Sequence, residues 1–305
     1  MKNNKFKIVV ATVFSVFILA SCAKQLDLLP TNDVTSTMVY KDATGYKQAF
    51  AKVYASFALT GNNGPAGNGD IQGIDEGTSD FLRLYWKAQE LSTDEAVVSW
   101  GDPGIQDFHN MNWSASNPML TGLYYRSYYQ ITLANDFIRQ ASDANLSARG
   151  ITGADADNIK KYRAEARFLR AYQYAVLIDL FGSVPFVTDA DLLGASLPKQ
   201  KTRTELFSYI ESELKAIEPD LADARKNEYG RADKAAAWAL LARIYLNASV
   251  YTGTAKNTEA VTYAKKVIDA GYSLISDYTK LMRADNNLNT SEFILTINYD
   301  GRYTQ

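Results

Sequence analysis

Acidic side chains concentrated between residues 70 and 95 are the first candidates for chemistry in this sequence. Five of them are candidate catalytic carboxylates: Asp75, Glu76, Asp80, Asp94 and Glu95. Two carboxyl groups held about 5 to 10 Å apart supply the acid and the nucleophile or base of a glycoside hydrolase. The alternative interpretation, which we favour, is that Asp94 caps a turn and the other carboxylates are solvated loop charges.

Histidine and cysteine chemistry is limited because the chain has one residue of each type, His109 and Cys22. A Ser-His-Asp triad has only one possible base, and neither a zinc site built on these residue types nor a disulfide framework can form. The oxygen-rich stretches 70–80 and 285–287 are candidates for Ca²⁺, although neither has the alternate-position spacing of an EF-hand loop.

Trp100 is the aromatic residue best placed to contact a ligand. It lies in the segment 97–104, where Gly101, Pro103 and Gly104 indicate a turn and not a core helix. We therefore expect an exposed indole, whose flat face can stack on the C–H side of a pyranose ring. The tyrosines of 124–129 follow helical spacing instead, which predicts core packing.

The composition restricts the class of protein. The 305 residues are 47% hydrophobic and 12% aromatic, enough to bury a sizeable core in one large or two smaller units. The formal net charge is −2, and removal of residues 1–21, which carry three lysines and no acidic residue, makes it −5. This mild acidity argues against nucleic acid as a partner.

The N-terminus has the pattern of a bacterial export signal. Three lysines precede a 13-residue apolar run at 8–20, whereas roughly 20 apolar residues are needed to span a membrane. The run ends in Leu-Ala-Ser-Cys22, which resembles the lipobox of bacterial lipoproteins. We expect a signal peptide at 1–21, lipidation of Cys22 and a tether at 22–34; the alternative is an ordinary secreted protein.

Most of the chain from residue 35 onward is predicted to be helical, because apolar residues recur three or four positions apart. The predicted helical segments are 46–57, 120–138, 159–180, 205–217, 235–247 and 260–270. Thr202 with Glu205 forms a candidate capping box, and Gly271 is a candidate C′ residue. The glycine-rich stretch 61–77 is predicted to be a loop, and only 186–187 and 293–297 suggest strands.

One predicted helix pair has the pattern of a tetratricopeptide unit. Trp238, Leu241, Ala242 and Tyr245 match the core of its first helix, and the partner helix presents Ala260, Ala264, Val267 and Ile268 on one face. The earlier pair, 159–180 with 205–217, is a looser match, so a regular array is not established.

Several motifs, in this order, resemble the SusD/RagB family of Bacteroidetes outer-membrane lipoproteins. The first two stretches that carry the resemblance are 164–172 (AEARFLRAY) and 179–185 (DLFGSVP). The further matches are 90–95 (ELSTDE), 112–114 (NWS), 230–236 (GRADKAA) and 243–248 (RIYLNA). The stretch 73–77 (GIDEG) is similar to the starch-binding SusD branch in particular.

The resemblance implies a mostly α-helical fold of tetratricopeptide-like helix pairs with a loop-rich region and little β-structure, over 35–305. It implies a cell-surface lipoprotein of the outer membrane that binds oligosaccharides or polysaccharides, starch among them, and passes them to a SusC-like TonB-dependent transporter without cleaving them. No cofactor is required, and a structural Ca²⁺ is possible. Family chains run well past Gln305, so we expect this sequence to be an N-terminal portion.

The resemblance also indicates site residues. Trp100 matches the family's ligand-stacking tryptophan, and Arg83 matches an arginine that hydrogen-bonds sugar hydroxyls in the starch-binding branch, a role suited to its planar donors. The alternative for Arg83 is a surface ion pair. Asp285 lies near a calcium ligand of starch-binding relatives. The neighbours of Trp100 are Val98 and Pro103, where that branch has a second aromatic and an amide side chain.

Two other functions remain open beside glycan capture. A tetratricopeptide-type scaffold lipoprotein would bind a protein partner and be indifferent to sugar. A surface glycoside hydrolase would release sugar through two carboxylates.

Overall fold

The computed structural model describes residues 35–61, 69–192, 194, 197–301 and 304. The predicted signal peptide, Cys22 and the tether lie outside these residues. The chain divides into two compact units, residues 1–41 and residues 42–305. The described part of the first unit contains only a short helix, α1 (Ser36–Val39), and everything below concerns the second unit.

The second unit is helical over most of its described length, as the sequence predicted. Its helices are α2 (Ala43–Ala55), α3 (Phe81–Glu90), α4 (Ile105–His109), α5 (Pro118–Gln140), α6 (Asp143–Ala148), α7 (Gly153–Leu180), α8 (Arg203–Ile217), α9 (Lys234–Leu246), α10 (Ala248–Thr252) and α11 (Asn257–Asp269). Short 3₁₀ turns lie at Glu218–Asp220, Tyr278–Met282 and Asn286–Leu288.

Polar side chains determine where many of these helices begin. Asp42, Asp80, Asn117, Ser142, Thr202 and Asp233 each accept a hydrogen bond from a backbone N–H of the first helical turn. Thr202 and Glu205 form the predicted capping box. Gly271, just past the end of α11, has the left-handed φ of 82° that suits a C′ glycine.

The long helix α7 is central to the packing, since it contacts α2, α5 and α8. A buried charge cluster joins α7 to α8: Arg167 donates two hydrogen bonds of 2.8 Å to Glu213, and Arg170 donates one of 2.7 Å. Burial alone would raise the pKa of Glu213, but the two arginines outweigh burial and hold its pKa below the ordinary value. The earlier of the two predicted helix pairs therefore forms a packed unit.

The second helix pair forms from α9 and α11, with the short helix α10 between them. Its predicted buried face is correct for Ala260 but wrong for Ile268, which is 70% exposed. Seven residues make nearly two full turns, so Ile268 lies above Val261, which is exposed as well. Trp238 donates a hydrogen bond of 2.9 Å to Glu218 at the end of α8, which joins the two pairs.

Strand structure is small, as predicted, but neither of the two predicted runs, 186–187 and 293–297, is itself a strand. Val184–Pro185 (β1) pairs antiparallel with Gln200–Lys201 (β2), directly before the predicted strand at 186–187. Residues 293–297 have no regular structure. No described segment pairs with this apolar run, and an unpaired strand leaves its backbone groups unsatisfied.

Among the described helices, none combines the length and the apolar character that a membrane crossing needs.

Candidate functional site

Trp100 lies on an irregular loop, residues 97–104, which we call the Trp100 loop. The indole is 60% exposed, as the Gly and Pro residues of the loop predicted. His109, at the end of α4, fixes the start of the loop, because its Nε2 atom lies 3.3 Å from both the backbone N and O of Val98. The sole histidine thus has a structural contact that its sequence position did not indicate.

Asn117 fixes the other end of the Trp100 loop. Its Nδ2 donates hydrogen bonds of 3.0 Å to the Gly104 carbonyl and 2.8 Å to Asp107, while its Oδ1 caps α5. Gly104 has a φ of 90°, and a Cβ at this position would lie 2.8 Å from Asn117 Nδ2. Glycine is therefore required here, both for backbone conformation and for space.

Arg83 lies in the first turn of α3, where it forms an ion pair, while its sugar-binding role stays a prediction. Its Nη1 donates a hydrogen bond of 2.5 Å to the Gly77 carbonyl, and its Nε lies 3.3 Å from the Asp80 carboxylate. The side chain is nevertheless 39% exposed. A guanidinium has five N–H donors, so this arrangement leaves donors for hydroxyl groups of a ligand.

Tyr299 joins the pair of Asp80 and Arg83 from a distant part of the chain. Its hydroxyl donates a hydrogen bond of 3.4 Å to Asp80 Oδ1. Burial, followed by the charge of Asp80, raises the pKa of the Tyr299 phenol, so it stays a hydrogen-bond donor. We call Asp80, Arg83 and Tyr299 the polar cluster; its aromatic member is still part-exposed.

Arg126 of α5 binds the backbone next to the polar cluster. This arginine is 1% exposed, and it donates hydrogen bonds of 2.8 Å to the Ser79 carbonyl and 3.3 Å to the Thr60 carbonyl. These carbonyls lie at the two ends of the glycine-rich segment, which Arg126 therefore holds together next to Asp80.

The other acidic candidates have local structural contacts. Asp75 accepts hydrogen bonds from the backbone and hydroxyl of Thr78, and Glu76 accepts one of 3.0 Å from Thr60. The prediction that Asp94 caps a turn is not what the structure shows, because the hydroxyl of Thr93 accepts the bond from Glu95 N there. Threonine hydroxyls also form such turns, although more weakly than Asp or Asn side chains do.

Asp285 is exposed at the start of a 3₁₀ turn. In the part of the chain that the structure describes, no three His, Cys, Asp or Glu side chains are grouped closely enough to hold a metal ion. Calcium at Asp285 thus stays a prediction. Such an ion would need backbone carbonyl, side-chain amide and water oxygens as its further ligands.

A separate cavity of about 820 Å³ lies between α2, α7, α9 and the segment 294–298. Its walls are mostly apolar and aromatic, with Phe50, Phe57 and Phe168 among them. Polar side chains also line it, among them Glu228, Arg231 and Arg243. Neither Trp100 nor Arg83 borders this cavity.

A family model for SusD-like proteins, described as starch-binding and associating with the outer membrane, matches residues 86–246, more than half of the chain. The chain belongs to the SusD-like family. Among curated proteins, the SusD-like chain is 40% identical to the starch-binding protein SusD of Bacteroides thetaiotaomicron, over 94% of this chain and 50% of that protein. It is 26% identical to SusD-like protein P2 of Formosa agariphila, over 66% of this chain and 39% of that protein.

Solved structures agree on the fold. A surface glycan-binding protein A from Bacteroides uniformis matches with a TM-score of 0.64 and 22% identity, covering 84% of this SusD-like chain and 52% of that one. A laminarin-binding SusD-like protein matches with a TM-score of 0.62 and 23% identity, covering 83% and 50%. The chain thus spans about half the length, or less, of the relatives named here.

The sequence of this SusD-like chain predicted Trp100 and Arg83 as glycan-binding residues, but it did not predict the residues that contact them or their loops. Tyr299 precedes Asp-Gly, a turn signal that marks an exposed aromatic residue. Asn117 precedes Pro118, and this Asn-Pro pair is a recognisable helix start. Arg126 and His109 carried no such signal, because their partners are backbone groups far away in sequence.

Proposed function

We propose that this SusD-like chain binds a glycan on the Trp100 loop and the polar cluster. The observation that carries the proposal is an indole left 60% exposed on a loop that is fastened at both ends. A large apolar side chain gains nothing from such exposure in the free protein, whereas a rigid aromatic face loses little entropy when a ring stacks on it.

The polar cluster supplies hydrogen-bonding groups, which stacking on Trp100 alone does not provide. Arg83 offers donors and Asp80 offers acceptor oxygens, and sugar hydroxyls require both. Tyr299 adds a second aromatic ring beside them. These groups support recognition of neutral hydroxyl-rich rings, and not of phosphate or another anion, because a carboxylate stands in the middle of the cluster.

An α-glucan of the starch type is our first choice of ligand, since the 40% identical relative is named a starch-binding protein. Val98 and Pro103 next to Trp100 reduce the aromatic and polar contacts of the loop itself. We therefore propose that Tyr299 takes over part of the contact, and that affinity for short oligosaccharides is modest.

We further propose that the protein acts at the cell surface, anchored through Cys22, and delivers its glycan to a SusC-like TonB-dependent transporter. Capture without cleavage is supported by the local hydrogen bonds of Asp75 and Glu76, which give these carboxylates a structural role. The calcium proposal at Asp285 concerns loop stability and not sugar chemistry.

One observation favours a protein-binding role as the second candidate. Val261 and Ile268 form an exposed apolar stripe on α11, the last helix of the second pair. Helix pairs of this kind bind protein partners along such faces.

Calorimetric titration of the protein without residues 1–22 tests the proposal. The panel comprises maltoheptaose and amylopectin, β-glucans, fructans and host-type glycans, and the products are analysed for released sugar. Saturable binding of one class without released sugar supports capture. Released sugar would establish the hydrolase, and the absence of binding throughout would favour the scaffold.

A further inference from the structure

Trp86 is an exposed tryptophan of α3 whose indole has no hydrogen-bond or ring partner in the described chain. The residue is 44% exposed, its Nε1 donates no hydrogen bond to a described residue, and no described ring or cation stacks on it. A single exposed apolar side chain is common on protein surfaces, so its surroundings decide whether it has a role.

The other tryptophans of the chain show how unusual this indole is. Trp238 donates a hydrogen bond of 2.9 Å to a carboxylate, and the ring centroid of Trp113 lies 6.1 Å from that of Phe108. Trp100, the proposed stacking residue, has neither kind of contact within the described chain. Trp86 therefore shares with Trp100 the property that suits a ligand platform, an indole that the described fold leaves unused.

The position of Trp86 brings its indole next to Arg83. The two residues are three apart in α3, so they are neighbours on the helix surface, with a rise of about 4.5 Å between them. Helical side chains lean toward the N-terminus, which places the indole above the turn that contains Arg83. Phe81 and Leu84 of the same helix are buried, whereas the Arg83 side chain is 39% exposed. Indole and guanidinium thus share the solvent-facing side of α3.

We propose that Trp86 is a second stacking residue of the glycan site, which holds the sugar unit next to the one that Arg83 hydrogen-bonds. The inference rests on the proposed function and specifies its ligand as an α-glucan chain of several units. A pyranose presents a C–H face to an indole and hydroxyl groups to a guanidinium, so one helical turn offers both contacts to consecutive units. Trp86 then contributes to binding only when the chain is long enough to reach it.

Oligosaccharides of two lengths test this proposal in calorimetric titrations of the protein without residues 1–22. We expect Trp86→Ala to weaken binding of maltoheptaose about tenfold, through loss of one aromatic contact. Binding of maltotriose should stay within about twofold of the parent value. Trp86→Leu should lose as much affinity for maltoheptaose, because leucine still covers the helix but has no flat face.

Tyr125→Ala is the matched control, because Tyr125 is 45% exposed on a helix, α5, and belongs neither to the polar cluster nor to the Trp100 loop. This variant should bind both oligosaccharides as the parent protein does.

A ligand contact at Trp86 is measured directly by ¹⁹F NMR on protein labelled with 5-fluorotryptophan. The chain has four tryptophans, and Trp86→Phe and Trp100→Phe assign two of the four signals. We expect maltoheptaose to shift the signals of Trp86 and Trp100, and maltotriose to shift only that of Trp100. Both should leave the Trp238 signal in place.

Three outcomes would overturn the role of Trp86 while leaving the glycan site itself standing. They are equal binding of maltoheptaose by the parent and Trp86→Leu, equal losses for both oligosaccharides, and a Trp86 signal that saturating maltoheptaose does not move. If Trp86→Ala fails to fold, Trp86→Leu and the signal in the parent protein decide. A parent protein that binds neither oligosaccharide would overturn the proposed α-glucan function, and the role of Trp86 with it.

Discussion

At the scale of single residues, Trp100 separates binding from stability more cleanly than any other described side chain of the site. Its ring is mostly outside the core, so its removal exposes little new apolar surface. We expect Trp100→Ala to weaken glycan binding by about 30-fold, the size of an interface hot spot, and to leave the melting temperature unchanged.

Tyr278 provides the matched control for this substitution, because it is 68% exposed and lies in a 3₁₀ turn outside the polar cluster. Tyr278→Ala should leave titration curves unchanged. Equal affinities of parent and Trp100→Ala would remove the Trp100 loop from the proposed site.

A second prediction for a single residue concerns Arg83, and it depends on the arrangement of the guanidinium donors and not on charge. Lysine keeps the positive charge but cannot bond Gly77 and Asp80 while still presenting donors to a ligand. We expect Arg83→Lys to weaken binding about fivefold to tenfold, measured by titration.

Arg163 serves as the control, because it likewise contacts a carbonyl, that of Ala141, and a carboxylate, that of Asp143. Arg163→Lys should lower stability slightly and leave affinity alone. Comparable losses in both variants would mean that the Arg83 effect is one of folding.

At the scale of elements, Asn117 connects a helix start to the binding loop. Alanine at this position removes the cap of α5 and both contacts to the segment around α4. We expect Asn117→Ala to lower the free energy of unfolding by about 1 to 2 kcal/mol and also to weaken glycan binding. Denaturant titration and calorimetry measure the two effects.

Thr202→Ala separates these effects, since it removes the cap of α8 without touching the Trp100 loop. It should cost about 1 kcal/mol of stability and nothing in affinity. If Thr202→Ala weakens binding as much as Asn117→Ala does, the loss follows stability in general.

The elements also show how far sequence patterns reach. The apolar spacing in 120–138 and 205–217 is local, so it predicted α5 and α8 closely, and the polar residue Thr202 marked the start of α8. Residues 293–297 have an equally apolar pattern but pair with no strand in the described part of the chain, and strand pairing is a property of the whole fold. A local sequence pattern therefore cannot predict a strand whose formation depends on pairing with a distant segment.

In the site, too, local sequence predicted some features, whereas others depend on the fold. Trp100 was predictable because glycine and proline around it indicate a turn. The burial of Lys87, which is 3% exposed, was not predictable, since a lysine in an amphipathic helix is ordinarily expected on the surface. Ile268 is the reverse case, an apolar residue that the fold leaves exposed.

At the scale of the whole molecule, the contact between α7 and α8 makes stability depend on pH. The pKa of Glu213 is lower in the folded protein than its ordinary value of 4.5, so ionised Glu213 stabilises the fold above that pH. This contribution should disappear as the pH falls through the lower, folded pKa.

Glu213→Gln should therefore destabilise the protein at pH 7 by about 3 kcal/mol, because two arginines lose a charged partner. The difference between parent and variant should shrink below about pH 4. Thermal unfolding from pH 3 to 8 measures it, and a constant difference would contradict the assigned ionisation.

The proposed location at the cell surface depends on the sulfur atom of Cys22. Cys22→Ala should yield an unprocessed, unlipidated precursor that no longer labels with a fatty-acid probe, because Cys22 is the only cysteine. Radiolabelled palmitate and surface proteolysis of intact cells test this. Normal lipid labelling and surface display of the variant would refute the anchor.

The fastening of the Trp100 loop has a practical consequence for engineering new specificities. Gly101 has open space where a side chain would begin, and Ser99 and Pro103 also lie between the two attachment points. A combinatorial library confined to positions 99, 101 and 103 would thus sample new ligand contacts on an unchanged scaffold. The same library extended to Gly104 would consist mainly of misfolded clones, because position 104 accommodates no side chain.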